Sequence, residues 1–150
     1  MSSEDLELIE AVRAQLVADE RLESPGEIAI DAFQGKVTLR GTVGSFSQER
    51  SAVHDAHRTR GVVDVFDKLE VRILDEDRRA DAEIRGAALQ RLIWDPQLIA
   101  DDLDVSVKDG WVTLTGNVNH QFQSDIAFER VASLRSVTGV TNKIQVFTAL

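Results

Sequence analysis

Apolar residues alternate with polar ones at Ile28, Ile30 and Ala32, and again at Val37, Leu39, Gly41 and Val43. A period of two marks a strand with one face buried. Gln34-Gly35 separates the two runs, which makes the stretch a predicted β-hairpin. The pattern returns 75 residues later, at Leu103, Val105 and Val107 and then Val112, Leu114, Gly116 and Val118, around Asp109-Gly110. Asp-Gly between alternating runs signals a type I′ turn, in which both central residues need positive φ. Gly41 and Gly116 fall on the apolar face of their strands. A missing side chain there implies a bulge or the close approach of another element, and a helix packed over the glycine is expected.

Beyond each hairpin the spacing becomes helical. "SFSQERSAVHDAHR" and "QFQSDIAFERVASLR" place Ala52 and Ala56, or Ala127, Val131 and Leu134, on one side. Ser45 and Gln48 suit a capping box, whereas the matching His120 lacks the oxygen that such a cap uses. Val65, Leu69, Val71 and Ile73, and Val140, Ile144 and Val146, then predict a third strand in each copy. Upstream, "DLELIEAVRAQLV" and "ADAEIRGAALQRLI" are amphipathic helices that align at a spacing of 76, pairing Leu8 with Ile84, Leu16 with Leu92, Asp19 with Asp95 and Leu22 with Leu98. A one-residue difference in a loop accounts for the changed spacing.

The chain therefore reads as a duplication. The expected fold is α+β, two tandem αββαβ units over 1–74 and 82–150, each a three-stranded sheet with its helices on one face. "LDEDRRAD" supplies a charged linker over 75–81. Identities at Gly35/Gly110, Leu39/Leu114, Gly41/Gly116 and Val62/Val137 are folding residues, with Gly35, Gly41, Gly110 and Gly116 as the structural set.

"VSVKDGWVTLTGNV" from Val105 and "SVTGVTNKIQV" ending at Val146 resemble the BON domain, whose units carry V-x-V-x-x-G-x-V-x-L-x-G-x-V and close on G-V-x-x-V-x-N-x-I-x-V. The first copy, "IDAFQGKVTLRGTV" and "GVVDVFDKLEV", departs at Asp67, which stands where the pattern has Asn, and at Ala32. The resemblance implies a non-enzymatic role tied to bacterial envelope or osmotic stress. It also implies lipid or client-protein binding or, as the alternative, an ion-responsive (potassium-type) or scaffold protein acting through the arrangement of its copies.

Charge narrows the partners. The chain carries 17 Lys and Arg against 26 Asp and Glu, a net charge of −9, with the cations dispersed, which argues against nucleic acid. Without cysteine there is no thiol chemistry or thiolate metal site. "MSSEDLELIEAVRAQLV" is too acidic for an export signal and no run is long enough to span a membrane, so a cytoplasmic location is expected. No catalytic arrangement, nucleotide fingerprint or cofactor motif is present. "HDAH" (54–57) and "DDLD" (101–104) lack the spacing of a dedicated metal site, and none is expected.

What remains is apolar. "LIWDPQLI" ends the second copy's first helix, and its Trp94 has only Ala18 as counterpart. Trp at the tip of an amphipathic helix suits a bilayer interface, a partner groove or packing against the other copy. Ile93, Trp94, Leu98 and Ile99 form the expected contact patch for a phospholipid surface or protein client. Trp111, matched by Lys36, is a second contact candidate. Oligomeric state leaves no trace in the sequence.

Overall fold

A computed structural model describes residues 2–75 and 78–147 of the 150-residue chain. The chain divides into two compact units, Met1–Arg72 and Ile73–Leu150. Of the linker expected over 75–81, Glu76 and Asp77 lie outside the described residues, and Asp81 already belongs to a helix.

The first unit runs α1 (Ser3–Ala18), β1 (Ile28–Phe33), β2 (Lys36–Val43), α2 (Phe46–Arg58) and β3 (Asp64–Val71). The second runs α3 (Asp81–Trp94), β4 (Leu103–Lys108), β5 (Trp111–Val118), α4 (Gln121–Ala132), β6 (Gly139–Asn142) and β7 (Gln145–Val146). Each is the α+β unit that the periodicity predicts. β2 is the central strand, antiparallel to β1 and parallel to β3, and β5 occupies the same place between β4 and β6. The third strand of the second unit is interrupted, so β7 forms its own short pairing with β5.

Both hairpins turn as expected, with positive φ at Gln34 and Gly35 and at Asp109 and Gly110. Each turn is also tied to the N-terminus of the unit's first helix. The Asp5 carboxylate accepts from the Gln34 N–H at 3.1 Å, and Asp81 accepts from Asp109 and Gly110 at 2.9 and 3.0 Å. α1 and α3 therefore begin at the hairpin tip and end at the opposite end of the sheet.

The core lies between sheet and helices. Val12 and Leu16 of α1, Val37 and Leu39 of β2 and Ala52 and Ala56 of α2 are fully buried. At the equivalent positions of the second unit Ala88, Leu92, Val112, Leu114, Ala127 and Val131 are buried in its own core. Each buried Leu contributes roughly 2 kcal/mol from its area alone, which a sheet this small depends on.

Gly41 and Gly116 correct one expectation. They are hemmed in by backbone rather than by a helix: a Cβ would strike the Glu27 carbonyl oxygen at Gly41 and the Asp102 carbonyl oxygen at Gly116. Those oxygens belong to short 3-10 turns, Pro25–Glu27 and Ala100–Asp102, that deliver the chain into β1 and β4. The φ values of 123° and 128° are also outside what an L side chain adopts readily. Gly116→Ala is expected to cost about 3 kcal/mol through strain and collision. Gly86→Ala, in the exposed middle of α3 with open space around it, is expected to stabilise by about 0.5–1 kcal/mol. Urea midpoints of the two variants check the pair.

Candidate functional site

The second unit ends α3 in a tightly held corner. Asp95 caps the helix, its N–H donating to Leu92 O. Asp95-Pro96-Gln97-Leu98 then forms a turn closed by Leu98 N–H to Asp95 O at 3.1 Å, with Asp and Pro at the positions such turns favour. The Asp95 carboxylate accepts from Gln97 N–H at 2.9 Å and from Arg130 Nε of α4 at 2.9 Å. Gln123 of α4 donates to Gln97 O at 3.0 Å. Two contacts thus hold the corner against α4.

This corner sorts the expected patch. Leu98 turns inward and is buried, as is its counterpart Leu22. Ile93, Trp94 and Ile99 stand 61%, 73% and 60% exposed. Ile99 shares a small cleft with Val118 and with Phe147, itself 57% exposed. Phe122, exposed beside Gln123 on the first turn of α4, stacks on His120 with ring centroids 5.6 Å apart.

Sequence reasoning missed Phe122 and Phe147. The signal was in the duplication, because four positions at this end change together. Trp94, Ile99, Phe122 and Phe147 replace Ala18, Glu23, Ser47 and Arg72 of the first copy. The first copy is small or polar where the second is large and apolar.

Trp111 belongs elsewhere. It opens β5 next to the hairpin tip, where α3 begins, and Trp94 closes that 14-residue helix, about 20 Å away along its axis. Its indole N–H donates to Thr141 Oγ1 at 2.8 Å and its ring lies where a Cβ of Gly139 would be. The first copy has Lys36 paired in register with Asp64 instead.

Polar contacts on the second helix of each copy also differ. In the second copy Arg130 neutralises buried Asp95, and Asn142 Nδ2 of β6 donates to Ser124 Oγ at 2.9 Å. Asn142 Oδ1 also accepts from Ile144 N–H at 3.0 Å, as Asp67 Oδ1 accepts from Leu69 N–H at 2.9 Å within β3. In the first copy the matching residues are all acids: Asp55 for Arg130, Glu49 for Ser124 and Asp67 for Asn142, with Asp19 for Asp95.

Arg21 takes over part of the task of Arg130, holding Asp19 through Nε and Nη2 at 2.9 and 2.8 Å. That pairing keeps the Asp19 carboxyl well below the usual carboxylate range. Asp55 is only 1% exposed, and neither of its oxygens has a hydrogen-bond donor. Arg21 and Arg58 come no nearer than 3.7 and 3.8 Å. Burial, reinforced by the neighbouring Asp19, pushes the Asp55 carboxyl up to about 6. Burial also raises Glu49, and hydrogen bonding to Asp67 adds to it, up to about 8.

His54 and His57 lie exposed on the side of α2 away from Asp55. Asp101, Asp102 and Asp104 are exposed at the start of β4. Among the described residues no group of three or more His, Asp or Glu could hold a metal ion, and no helix is long and apolar enough to cross a membrane.

The arrangement matches a known family along nearly its whole length. A family model described as BON domain matches residues 4–73 and 80–147, one match per unit. The chain belongs to the BON domain family. Osmotically-inducible protein Y of Escherichia coli (strain K12) is 31% identical over 150 residues, spanning 95% of this chain and 72% of the relative. A 21 kDa hemolysin of Actinobacillus pleuropneumoniae is 27% identical over 143 residues, spanning 94% and 73%. Among solved structures, CdsD of the Chlamydia trachomatis type III secretion system covers 95% of this chain and 93% of its own, at 12% identity and a TM-score of 0.43.

Within the BON pattern, the closing Asn of the second copy is the residue that bonds to Ser124, and its replacement by Asp67 comes with Glu49 opposite. Trp111 and Gly139 form another matched pair. In a Trp94→Phe background, Gly139→Val is expected to displace the Trp111 indole and shift its emission to the red, whereas Thr141→Val, which removes only the hydrogen bond, leaves the ring in place. Fluorescence spectra of the two variants check this.

Proposed function

We propose that this BON protein is a non-enzymatic binding module of a bacterial stress response, and that the apolar end of its second unit is the contact surface for a lipid interface or an apolar segment of a client protein. The observation that carries the reading is the joint exposure of Trp94, Ile99 and Phe147 where the first copy has Ala18, Glu23 and Arg72, with Ile93 exposed beside Trp94 as Val17 is exposed beside Ala18. Large apolar side chains held out by a corner this well tied cost little additional entropy on contact. Trp at such an edge suits the boundary between headgroups and acyl chains.

Two relatives lend support. One is described as osmotically inducible and the other as a hemolysin. A net charge of −9 sets the lipid preference: anionic headgroups repel the chain, so contact rests on apolar insertion into zwitterionic surfaces. Trp111, at the far end, is assigned to the sheet rather than to this surface. Leu98 supports the corner from within.

The test titrates the protein with phosphatidylcholine vesicles while following Trp emission and co-sedimentation. A blue shift with pelleting is expected for the natural chain. Trp94→Ala with Ile99→Ser is expected to lower the partition coefficient at least about tenfold, in line with the transfer free energy of the removed side chains. No shift and no pelleting would remove the lipid reading and leave the client segment, to be sought by cross-linking from position 94.

A further inference from the structure

The first unit carries a device that the second lacks. α2 carries two acids set against acids of neighbouring elements: Asp55, buried beside the Arg21 that holds Asp19 at the end of α1, and Glu49, which lines a groove together with Asp67 of β3. At the same places α4 uses an Arg-carboxylate ion pair and an amide-hydroxyl hydrogen bond. Two ionised carboxylates offer only acceptors to each other. They become a bond when one proton lies between them.

The geometry of Asp55 makes the need for that proton concrete. Its side chain is 1% exposed, both oxygens lack a donor, and the guanidinium groups at 3.7 and 3.8 Å are beyond hydrogen-bonding reach. Water is excluded and Arg21 is committed to Asp19. A buried carboxylate in that state is costly, and a protonated one donating to Asp19 is not.

We propose that the first BON unit is a proton-dependent module: protons held in the Asp55–Asp19 and Glu49–Asp67 pairs clamp α2 to α1 and β3, and their loss loosens α2 while the second unit stays closed. The groups that face the clamp are few. Asp19 and Arg21 act on Asp55 from the segment that ends and follows α1, and Arg58 from α2 itself. Asp67 acts on Glu49 from β3, and Arg50, His54 and His57 share its groove of about 320 Å³. β2 contributes no charged group to either carboxyl.

The sign follows from proton binding. In the unfolded or opened chain both acids release their protons near pH 4, whereas the closed unit retains them until about 6 at Asp55 and about 8 at Glu49. Between those limits the closed state binds more protons than the open one, so rising pH favours opening. The clamp is complete below about pH 4 and is lost through pH 6 to 8.

Amide hydrogen exchange of the whole chain from pH 5 to pH 8, corrected for intrinsic exchange rates, reads the opening of each helix directly. The protection of Ala52–Ala56 amides is expected to fall at least about tenfold more than that of Ala127–Val131 amides across this range. In Asp55→Asn with Glu49→Gln, where neutral amides donate to Asp19 and Asp67, the excess fall should vanish. His54 and His57 remain in that variant, so a slope that persists would belong to them and would overturn the proposal. Parallel loss of protection in both helices of the natural chain would overturn it too. Should the double variant not fold, a carbon-13 carboxyl titration of the natural protein decides, since ordinary carboxylate midpoints at Asp55 and Glu49 would sink the idea.

Discussion

A carboxylate sits inside each unit where the first helix ends, and the rest of the fold is arranged around it. Asp19 and Asp95 cap their helices and accept from the backbone two residues on, at Arg21 and Gln97. The chain is thereby folded back so that Leu22 or Leu98 plugs the core before the first strand begins. Charge held in so small an interior must be matched, because an unpaired buried ion costs several kcal/mol. How each copy meets that demand sets what else the unit can do.

The second copy meets it with Arg130, reaching across from α4. The ion pair ties α3 to α4 at the end where Ile93, Trp94 and Ile99 emerge, and Gln123 adds a second tie from the same helix. A large apolar surface held out this way does not collapse onto its own core, since the corner beneath it is already filled by Leu98. In the first copy Arg21 follows the helix directly and the reaching residue is an acid. The same corner, met differently, goes with exposed apolar side chains in one unit and with a buried carboxyl lacking a hydrogen-bond donor in the other.

Duplication explains how both persist. Each unit keeps its hairpin turn, the close backbone approach at Gly41 or Gly116 and the buried face of its helices, so the fold is specified twice over. Residues outside that set are then free to diverge. The matched changes Trp111 with Gly139, against Lys36 with Asp64, and Asn142 with Ser124, against Asp67 with Glu49, show contacts replaced as pairs rather than singly.

Element order, the hairpins, the buried faces and the family were legible in the sequence because they rest on short-range regularities: a period of two, a period near 3.6, Asp-Gly at a turn. Alignment of Leu98 with Leu22 even carried the information that Leu98 is core, although proximity to Trp94 suggested otherwise. Tertiary structure alone decided which neighbours share a surface. It put Trp111 at the opposite end from Trp94, brought Phe122 and Phe147 to the same end as Ile99, and placed a backbone carbonyl rather than a helix against Gly41 and Gly116. It alone placed Asp55 inward beside Asp19 within the exposed-looking "HDAH". Local pattern determines which way a residue faces on its own element. What it meets there depends on segments dozens of positions away, and for a charge that meeting decides everything.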